Sequence, residues 1–183
     1  MYALSIRQPD ASLVAHGFRY IDIRMYRPPS DMEGRRIAIH AASGTVTQTQ
    51  VAKLAANPLP RCFGISPKRI LVMKNFLATA WHARLHNEAE FSLLMPRGAI
   101  VATAVLRQAI RLPSGTWAWT FSEVRRILEP IPHRGHSRSW NLTAAIPLRA
   151  GTVDQGSCPA MLLRKQEQVL TRMLRSNETS AAS

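Results

Sequence analysis

Apolar and polar positions follow a clear pattern over the first 24 residues of the chain. Residues 3–6 are mostly apolar and predict the start of a buried strand. A short helix should follow, with Leu13 and Val14 on its inward side. It should end at Gly17, because glycine takes the left-handed conformation at low cost. The chain therefore opens with a buried strand and a helix that has one inward face.

Residues 20–24 have the period of two that is typical of a strand, since isoleucines alternate there with polar side chains. We expect Ile21 and Ile23 to face the core. Asp22 and Arg24 would then lie on the opposite face of the strand, where they would line a surface or a cleft.

Further along the chain, strands and helices are separated by turns rich in proline and glycine. Predicted strands cover residues 34–40, 99–106, 117–121 and 124–131, and predicted helices cover 45–56, 76–88 and 159–174. The short apolar run at residues 70–73 suits a helix or a strand equally well. We predict an α+β fold, a small and partly open β-barrel with helices packed around it.

The last predicted helix, residues 159–174, is amphipathic, with an apolar stripe and basic residues off that stripe. We expect residues 1–150 to form one domain and residues 151–183 to supply this helix and a disordered tail. The helix should pack on the barrel, on a second copy of the chain in a homodimer, or on a protein partner. Soluble monomers rarely leave such a stripe exposed.

Basic residues dominate the charge, because 24 Lys and Arg stand against 11 Asp and Glu, for a net charge of +13. A surplus of this size favours polyanionic partners, and arginine suits phosphate better than lysine does. No apolar run is long enough to span a membrane, and the first residues lack the pattern of a secretory signal. Cys62 and Cys158 have no metal-type spacing, which favours reduced thiols. We therefore expect a cytoplasmic protein that binds nucleic acid and no membrane.

Candidate site residues cluster around the strand at residues 20–24. An aspartate at position 22 between Arg19 and Arg24 would stay ionised and would fix the forked donors of both guanidiniums. His40, at the end of the next strand, could titrate or donate a hydrogen bond there. This pattern indicates an anion-binding cleft or, alternatively, a salt-bridged strand end of small energetic value. If the protein is an enzyme, Asp22 and His40 are the predicted catalytic residues.

Two further patterns concern phosphate and metal. The basic loop at residues 133–138 places Arg134 and Arg138 where they could contact phosphates. His82 and His86 are four residues apart on a predicted helix, which could be a metal pair. With no third ligand in evidence, we interpret them as exposed histidines and predict no metal site and no cofactor.

Several short motifs resemble the ASCH domain, a member of the PUA-like superfamily. They are Leu4-Ser5-Ile6-Arg7-Gln8-Pro9, Gly17-Phe18-Arg19, Asp22-Ile23-Arg24 and residues 34–41, 96–104, 128–132 and 135–140. The motifs occur in the family's order and cover roughly half of the chain. This chain has Asp10 where the family often has Trp, Arg19 where it usually has Lys, and Asp22 where it usually has Glu.

The resemblance implies a PUA-like barrel, with a cleft between the first helix and the strands that follow, and it implies binding to RNA. Together with the charge pattern, it gives one predicted nucleic-acid-binding set. That set is Arg7, Gln8, Arg19, Asp22, Arg24, His40, Arg134 and Arg138.

The resemblance also implies possible catalysis. Some small relatives look like amidohydrolases of N4-acylated cytidines that use a lysine as the base, and others have been described as ribonucleases. The lysine position falls on Arg19, which stays protonated in proteins and cannot be that base. We therefore predict an RNA-binding module. The alternatives are a small hydrolase acting on N4-acylated cytidine or on RNA, and a protein-interaction adaptor that uses the C-terminal helix.

Overall fold

The fold is given by a computed structural model, which describes residues 1–56, 67–136, 139–142 and 152–154. The strands are β1 (Tyr2–Ile6), β2 (Ile21–Arg24), β3 (Arg36–Ala41), β4 (Ala99–Arg111), β5 (Trp117–Pro132), β6 (Ser139–Asn141) and β7 (Thr152–Asp154). The α-helices are α1 (Asp10–Ala15), α2 (Gln48–Ala56), α3 (Pro67–His86) and α4 (Glu88–Leu94), with a short 3₁₀ turn at Ser30–Met32.

Six strands form one mixed sheet in the order β2-β5-β4-β3-β1-β6, and β7 pairs with the second half of β5. β1 and β3 are parallel, whereas the other pairs within the described ranges are antiparallel. The pairing between β4 and β5 shifts register at three places. Such bulges bend strands and increase their twist, and the sheet curls into a half-barrel. The predicted α+β class and the partly open, barrel-like sheet are thereby confirmed.

The main hydrophobic core lies between α1 and the sheet. Ile37 and Ile39 of β3 lie on the same face of the strand, and this face packs into the core. Ala38, between them, packs in a separate small cluster on the other face of β3. His40 alternates onto that second face, at the end where the strand finishes.

The helices α2, α3 and α4 contribute to a second large apolar cluster, which Leu13 of α1 joins. Residues 70–73 are helical, because α3 begins at Pro67. The predicted helix at 76–88 is divided near its end. α3 stops at His86, and Asn87 caps the next helix by accepting a hydrogen bond from the Glu90 amide at 3.1 Å.

The structure of β2 corrects the prediction that both of its isoleucines face the core. Ile21 is buried as expected, but Ile23 is 46% exposed and Asp22 is only 6% exposed. A period of two separates the two faces of a strand, but neighbouring elements decide which face is covered. Here two guanidiniums bind the carboxylate of Asp22 and offset the cost of burying it.

The predicted C-terminal helix at residues 159–174 lies outside the described residues. β7 belongs to the segment 151–183, and its three residues pair with β5. Among the helices in the described ranges, none is both long and apolar enough to cross a membrane.

Truncation of Leu4 tests the core. Leu4→Ala should lower the free energy of unfolding by about 2–5 kcal/mol, because a buried leucine leaves a cavity when it is shortened, and Leu4 is 0% exposed. Leu128→Ala on β5 is the matched control, since Leu128 is 49% exposed and should lose about 1 kcal/mol or less. Urea unfolding followed by circular dichroism measures both. Equal losses would contradict the placement of Leu4 in the core.

Candidate functional site

A cleft of about 830 Å³ opens at one end of the sheet, where β1, β2 and β3 finish. The start of α1 and residues 133–136, which follow β5, complete its walls. Its ionisable lining residues are Arg7, Asp10, Asp22, Arg24, His40, His133, Arg134 and His136. Because β1 and β3 are parallel, their carboxyl ends meet at the same edge, and residues far apart in the sequence share the cleft.

A buried ion-pair cluster joins α1 to β2 next to the cleft. Arg19 is 4% exposed, and its guanidinium pairs with Asp10 and, at 3.2 Å, with Asp22. Its Nε also donates to the backbone carbonyl of Ile21. The side chain of Arg19 therefore contacts protein groups on several sides, which suits a positioning role.

Asp22 extends this cluster to Arg24. Oδ2 of Asp22 accepts a hydrogen bond from Nε of Arg24 at 2.5 Å, while Oδ1 accepts from Arg19. A second nitrogen of Arg24 donates to the backbone carbonyl of Ser5 at 2.6 Å. Both carboxylate oxygens of Asp22 therefore bind guanidiniums. Its geometry fixes the direction of Arg24.

His40 is 3% exposed and has a partner on each ring nitrogen. Nε2 lies 2.9 Å from the backbone carbonyl of His133, and Nδ1 lies 3.1 Å from Oγ of Ser5. A carbonyl only accepts hydrogen bonds, so Nε2 carries the proton in this arrangement. Burial lowers the pKa of His40, the hydrogen bond to His133 opposes that change, and the charges of His133 and His136 lower the pKa further.

The neutral ring of His40 has a lone pair on Nδ1, which therefore accepts the hydroxyl hydrogen of Ser5. On the other side, Nε1 of Trp140 donates to Oγ of Ser5 at 3.4 Å. An indole can only donate, so both ends of this chain of hydrogen bonds have a fixed direction. The hydroxyl of Ser5 is oriented towards His40.

The backbone holds the carbonyl of His133 in place. The amide of His133 donates to the carbonyl of Gly98 at 2.9 Å, and the amide of Gly98 donates to the carbonyl of Ala41 at 2.8 Å. Gly135 lies so close to the imidazole of His40 that a Cβ at this position would overlap the ring. The loop after β5 is therefore joined to the end of β3 and fitted against His40.

Aromatic rings surround the same end of the cleft. The rings of His133 and Trp140 are stacked, with centroids 4.7 Å apart and an interplanar angle of 24°. The ring of His136 meets Trp140 edge-on at 5.2 Å. Of these three residues, His133 and His136 line the cleft beside its arginines, and both pack against Trp140.

The structure brings together most of the predicted binding residues. Arg7, Asp22, Arg24, His40 and Arg134 line the cleft, whereas Arg138 lies outside the described residues. Arg19 and Gln8 are buried beside it. Gln8 is 3% exposed, and its amide donates to the carbonyl of Pro96 at 2.6 Å and accepts from the amide of Ser12 at 3.0 Å. For every residue of the predicted set, contact with a ligand stays a prediction.

Sequence reasoning did not select Ser5, His133 or His136, although all three line the cleft. Two signals were available. Ser5 alternates with the buried apolar positions of β1, which places a lone hydroxyl at a strand end. His133 and His136 stand in a short loop next to a tryptophan.

His82 and His86 lie on α3 with ring centroids 4.5 Å apart. Across the ranges that the structure describes, no group of three or more potential metal ligands occurs.

No protein-family model matches the chain, and no curated protein matches it either. The ASCH resemblance therefore rests on the short motifs of the sequence.

Removal of Arg19 tests the buried ion-pair cluster. Arg19→Ala should lower the free energy of unfolding by about 3–5 kcal/mol, because it leaves buried carboxylates without their shared cation. Arg19→Lys keeps the positive charge but loses the paired N–H donors of the guanidinium, so its decrease in the free energy of unfolding should be smaller. Arg27→Ala is the control, since Arg27 forms a 3.5 Å ion pair with Glu33 but has a side chain 59% exposed. Thermal or urea unfolding measures all three, and equal losses for Arg19→Ala and Arg27→Ala would refute the cluster's role.

The lowered pKa of His40 predicts a pH dependence of stability. In the unfolded chain a histidine titrates near about 6.5, so below that pH the unfolded state binds more protons than the folded state. Stability should therefore be fully present above about pH 6.5 and fall as the pH decreases towards the lowered folded value. His16 contributes in the same direction, because burial also lowers its pKa.

His40→Gln should reduce the difference in melting temperature between about pH 7.5 and about pH 5.5, the two sides of the histidine titration. His82→Gln is the control, because the side chain of His82 lies in an exposed position on α3. Thermal melts of the three proteins in matched ionic strength make the comparison. Identical pH dependence in the His40→Gln variant and the unchanged protein would count against a neutral, buried His40.

Proposed function

We propose that the cleft binds nucleic acid, with single-stranded RNA as its ligand. The observation that supports this most is the convergence of Arg7, Arg24 and Arg134 from three separate parts of the fold. Arginine recognises phosphate with two parallel donors, and several arginines around one cleft suit a backbone with regularly spaced phosphates.

The carboxylates in the cleft do not cancel the positive charge of the cleft arginines. Asp10 pairs with Arg19, and Asp22 pairs with Arg19 and Arg24. Arg7 and Arg134 are exposed and, within the described ranges, form no ion pair. Two exposed guanidiniums are therefore available for a polyanion, in a chain whose net charge is +13.

The shape of the cleft and its aromatic lining residues favour a single strand. A cleft of about 830 Å³ can enclose a nucleotide-sized group but not a duplex. His133 and His136 line the cleft with their aromatic rings, and unpaired bases stack on aromatic rings in single-stranded nucleic acids. The resemblance to ASCH domains, which are thought to bind RNA, supports RNA as the ligand.

The alternatives have less support. The amidohydrolase proposal for N4-acylated cytidine needs a base at position 19, where a permanently charged arginine is buried between two carboxylates. A ribonuclease would use Asp22 and His40, yet both oxygens of Asp22 bind arginines. The adaptor proposal depends on the helix at residues 159–174, which is outside the described residues.

Fluorescence anisotropy with a labelled single-stranded oligoribonucleotide tests the proposal. Binding should weaken as salt rises, and each phosphate contact should contribute about 0.7 to the slope of log K against log salt. Arg7→Ala and Arg134→Ala should each weaken binding and reduce that slope by about 0.7. The unchanged protein should bind in the micromolar range or more weakly.

Arg107→Ala and Arg111→Ala are the matched controls, because both arginines are exposed on β4 and neither lines the cleft. They remove the same charge and should leave the salt slope nearly unchanged. Equal losses of RNA affinity in the cleft and control variants would indicate that RNA is attracted to the basic surface in general and not to the cleft. No binding at low salt would refute the proposal.

A further inference from the structure

Ser5 and His40 form an arrangement that anion binding does not require. Ser5 is partly exposed and lines the cleft, and its hydroxyl lies 3.1 Å from Nδ1 of His40. Nε2 of His40 donates to the carbonyl of His133, and the amide of His133 is held by a hydrogen bond to the carbonyl of Gly98. A hydroxyl, a neutral imidazole and a group that orients the imidazole are the parts of an activated nucleophile.

We propose that Ser5 is a nucleophile, that His40 is its general base, and that the cleft hydrolyses carboxylic esters that carry a negative charge. The roles follow from the directions of the hydrogen bonds. Trp140 and the His133 carbonyl each allow one direction only, so the hydroxyl of Ser5 donates to the unprotonated nitrogen of His40. This activity does not depend on the binding of nucleic acid.

In the first step, Oγ of Ser5 forms a bond to the ester carbonyl carbon while its proton passes to Nδ1 of His40. The resulting imidazolium keeps its Nε2 proton on the carbonyl of His133. The bond from carbon to the leaving oxygen then breaks, and the leaving alkoxide takes the proton from Nδ1. Water attacks the acyl group on Ser5 with the same base, which releases the carboxylic acid and restores the serine.

Two features of the site support this chemistry. The guanidinium of Arg24 binds the backbone carbonyl of Ser5 at 2.6 Å and is held by Asp22, so a fixed positive charge lies beside the nucleophile. Negative charge develops on the substrate oxygen in such reactions and is stabilised by preorganised donors. Burial lowers the pKa of His40, which keeps the base unprotonated at neutral pH.

The preference for charged esters follows from the arginines at the cleft. Arg7 and Arg134 line the same cleft as Ser5, and both side chains are exposed to solvent. A carboxylate or phosphate on the substrate can bind there while its ester group reaches the serine. A neutral ester of the same size lacks this contact.

A fluorophosphonate probe tests the nucleophile, because it forms a bond to an activated serine with loss of fluoride. The full chain should be labelled at Ser5, as mapped by peptide mass spectrometry, and heat-denatured protein should not be labelled. Ser43 is an exposed serine that lines the same cleft, so its lack of label separates activation from access. Absence of label at Ser5 in the folded protein would overturn the proposal.

His40→Gln should reduce the labelling rate by about 10²-fold or more, which is typical for loss of a general base. Gly135→Ala should also reduce it, because the added Cβ would displace the imidazole without removing it. Ser114→Ala is the control, since Ser114 is exposed on the turn before β5 and outside the cleft lining. Thermal melts confirm that each variant is folded. Unchanged labelling in folded His40→Gln protein would refute the role of His40.

Hydrolysis of p-nitrophenyl esters tests the substrate class. The mono-p-nitrophenyl ester of glutaric acid carries a carboxylate and should be hydrolysed faster than p-nitrophenyl acetate. The Arg7→Ala, Arg134→Ala double variant should lose this difference, whereas an Arg107→Ala, Arg111→Ala double variant, with both changes outside the cleft lining, should keep it. Equal rates on both esters in the unchanged protein would contradict the assigned preference. RNA binding is measured separately, so failure of either proposal can be recognised without the other.

Discussion

The buried guanidinium of Arg19 is the interaction on which this end of the molecule depends. It binds carboxylates from α1 and β2, and through Asp22 it fixes Arg24, which in turn binds the backbone of β1. Three elements of the fold are thus connected by one run of charged groups. Buried charges are stable only when they are paired. The ion pairs around Arg19 therefore determine both the geometry of the cleft and the stability of this end of the molecule.

Much of the fold could be predicted from spacing. The period of two in β3 puts Ile37 and Ile39 on one face, which the structure buries in the core, and a glycine at position 17 with φ of 67° ends the first helical segment as predicted. The covered face of β2 could not be predicted from alternation, because Asp22 is buried through Arg19, which Asp10 of α1 holds in place. Local alternation contains no information about such tertiary partners.

The candidate site could also be predicted only in part, because the sequence shows residue types and strand positions but not tertiary partners. Arg24 and His40 were chosen because of their residue types and strand positions, and both line the cleft. The pairing of Ser5 with His40 comes from the parallel register of β1 and β3, in which these two residues are direct partners. Register across 35 residues is set by the whole sheet, so a sequence motif alone could not assign a partner to Ser5. The cleft therefore combines arginines with a histidine whose pKa is lowered by burial.

The position of β1 in the sheet has a consequence for how the chain folds. β1 lies between β3 and β6, and its contact with Trp140 joins residues 135 positions apart. During synthesis, the strand at residues 2–6 is made long before β6, and one of its edges has no partner until residues 139–141 appear. Contacts between distant residues slow folding, and an open strand edge invites association with other chains. Folding of this protein should therefore be slow, with a late step in which residues 139–141 close the open edge of β1.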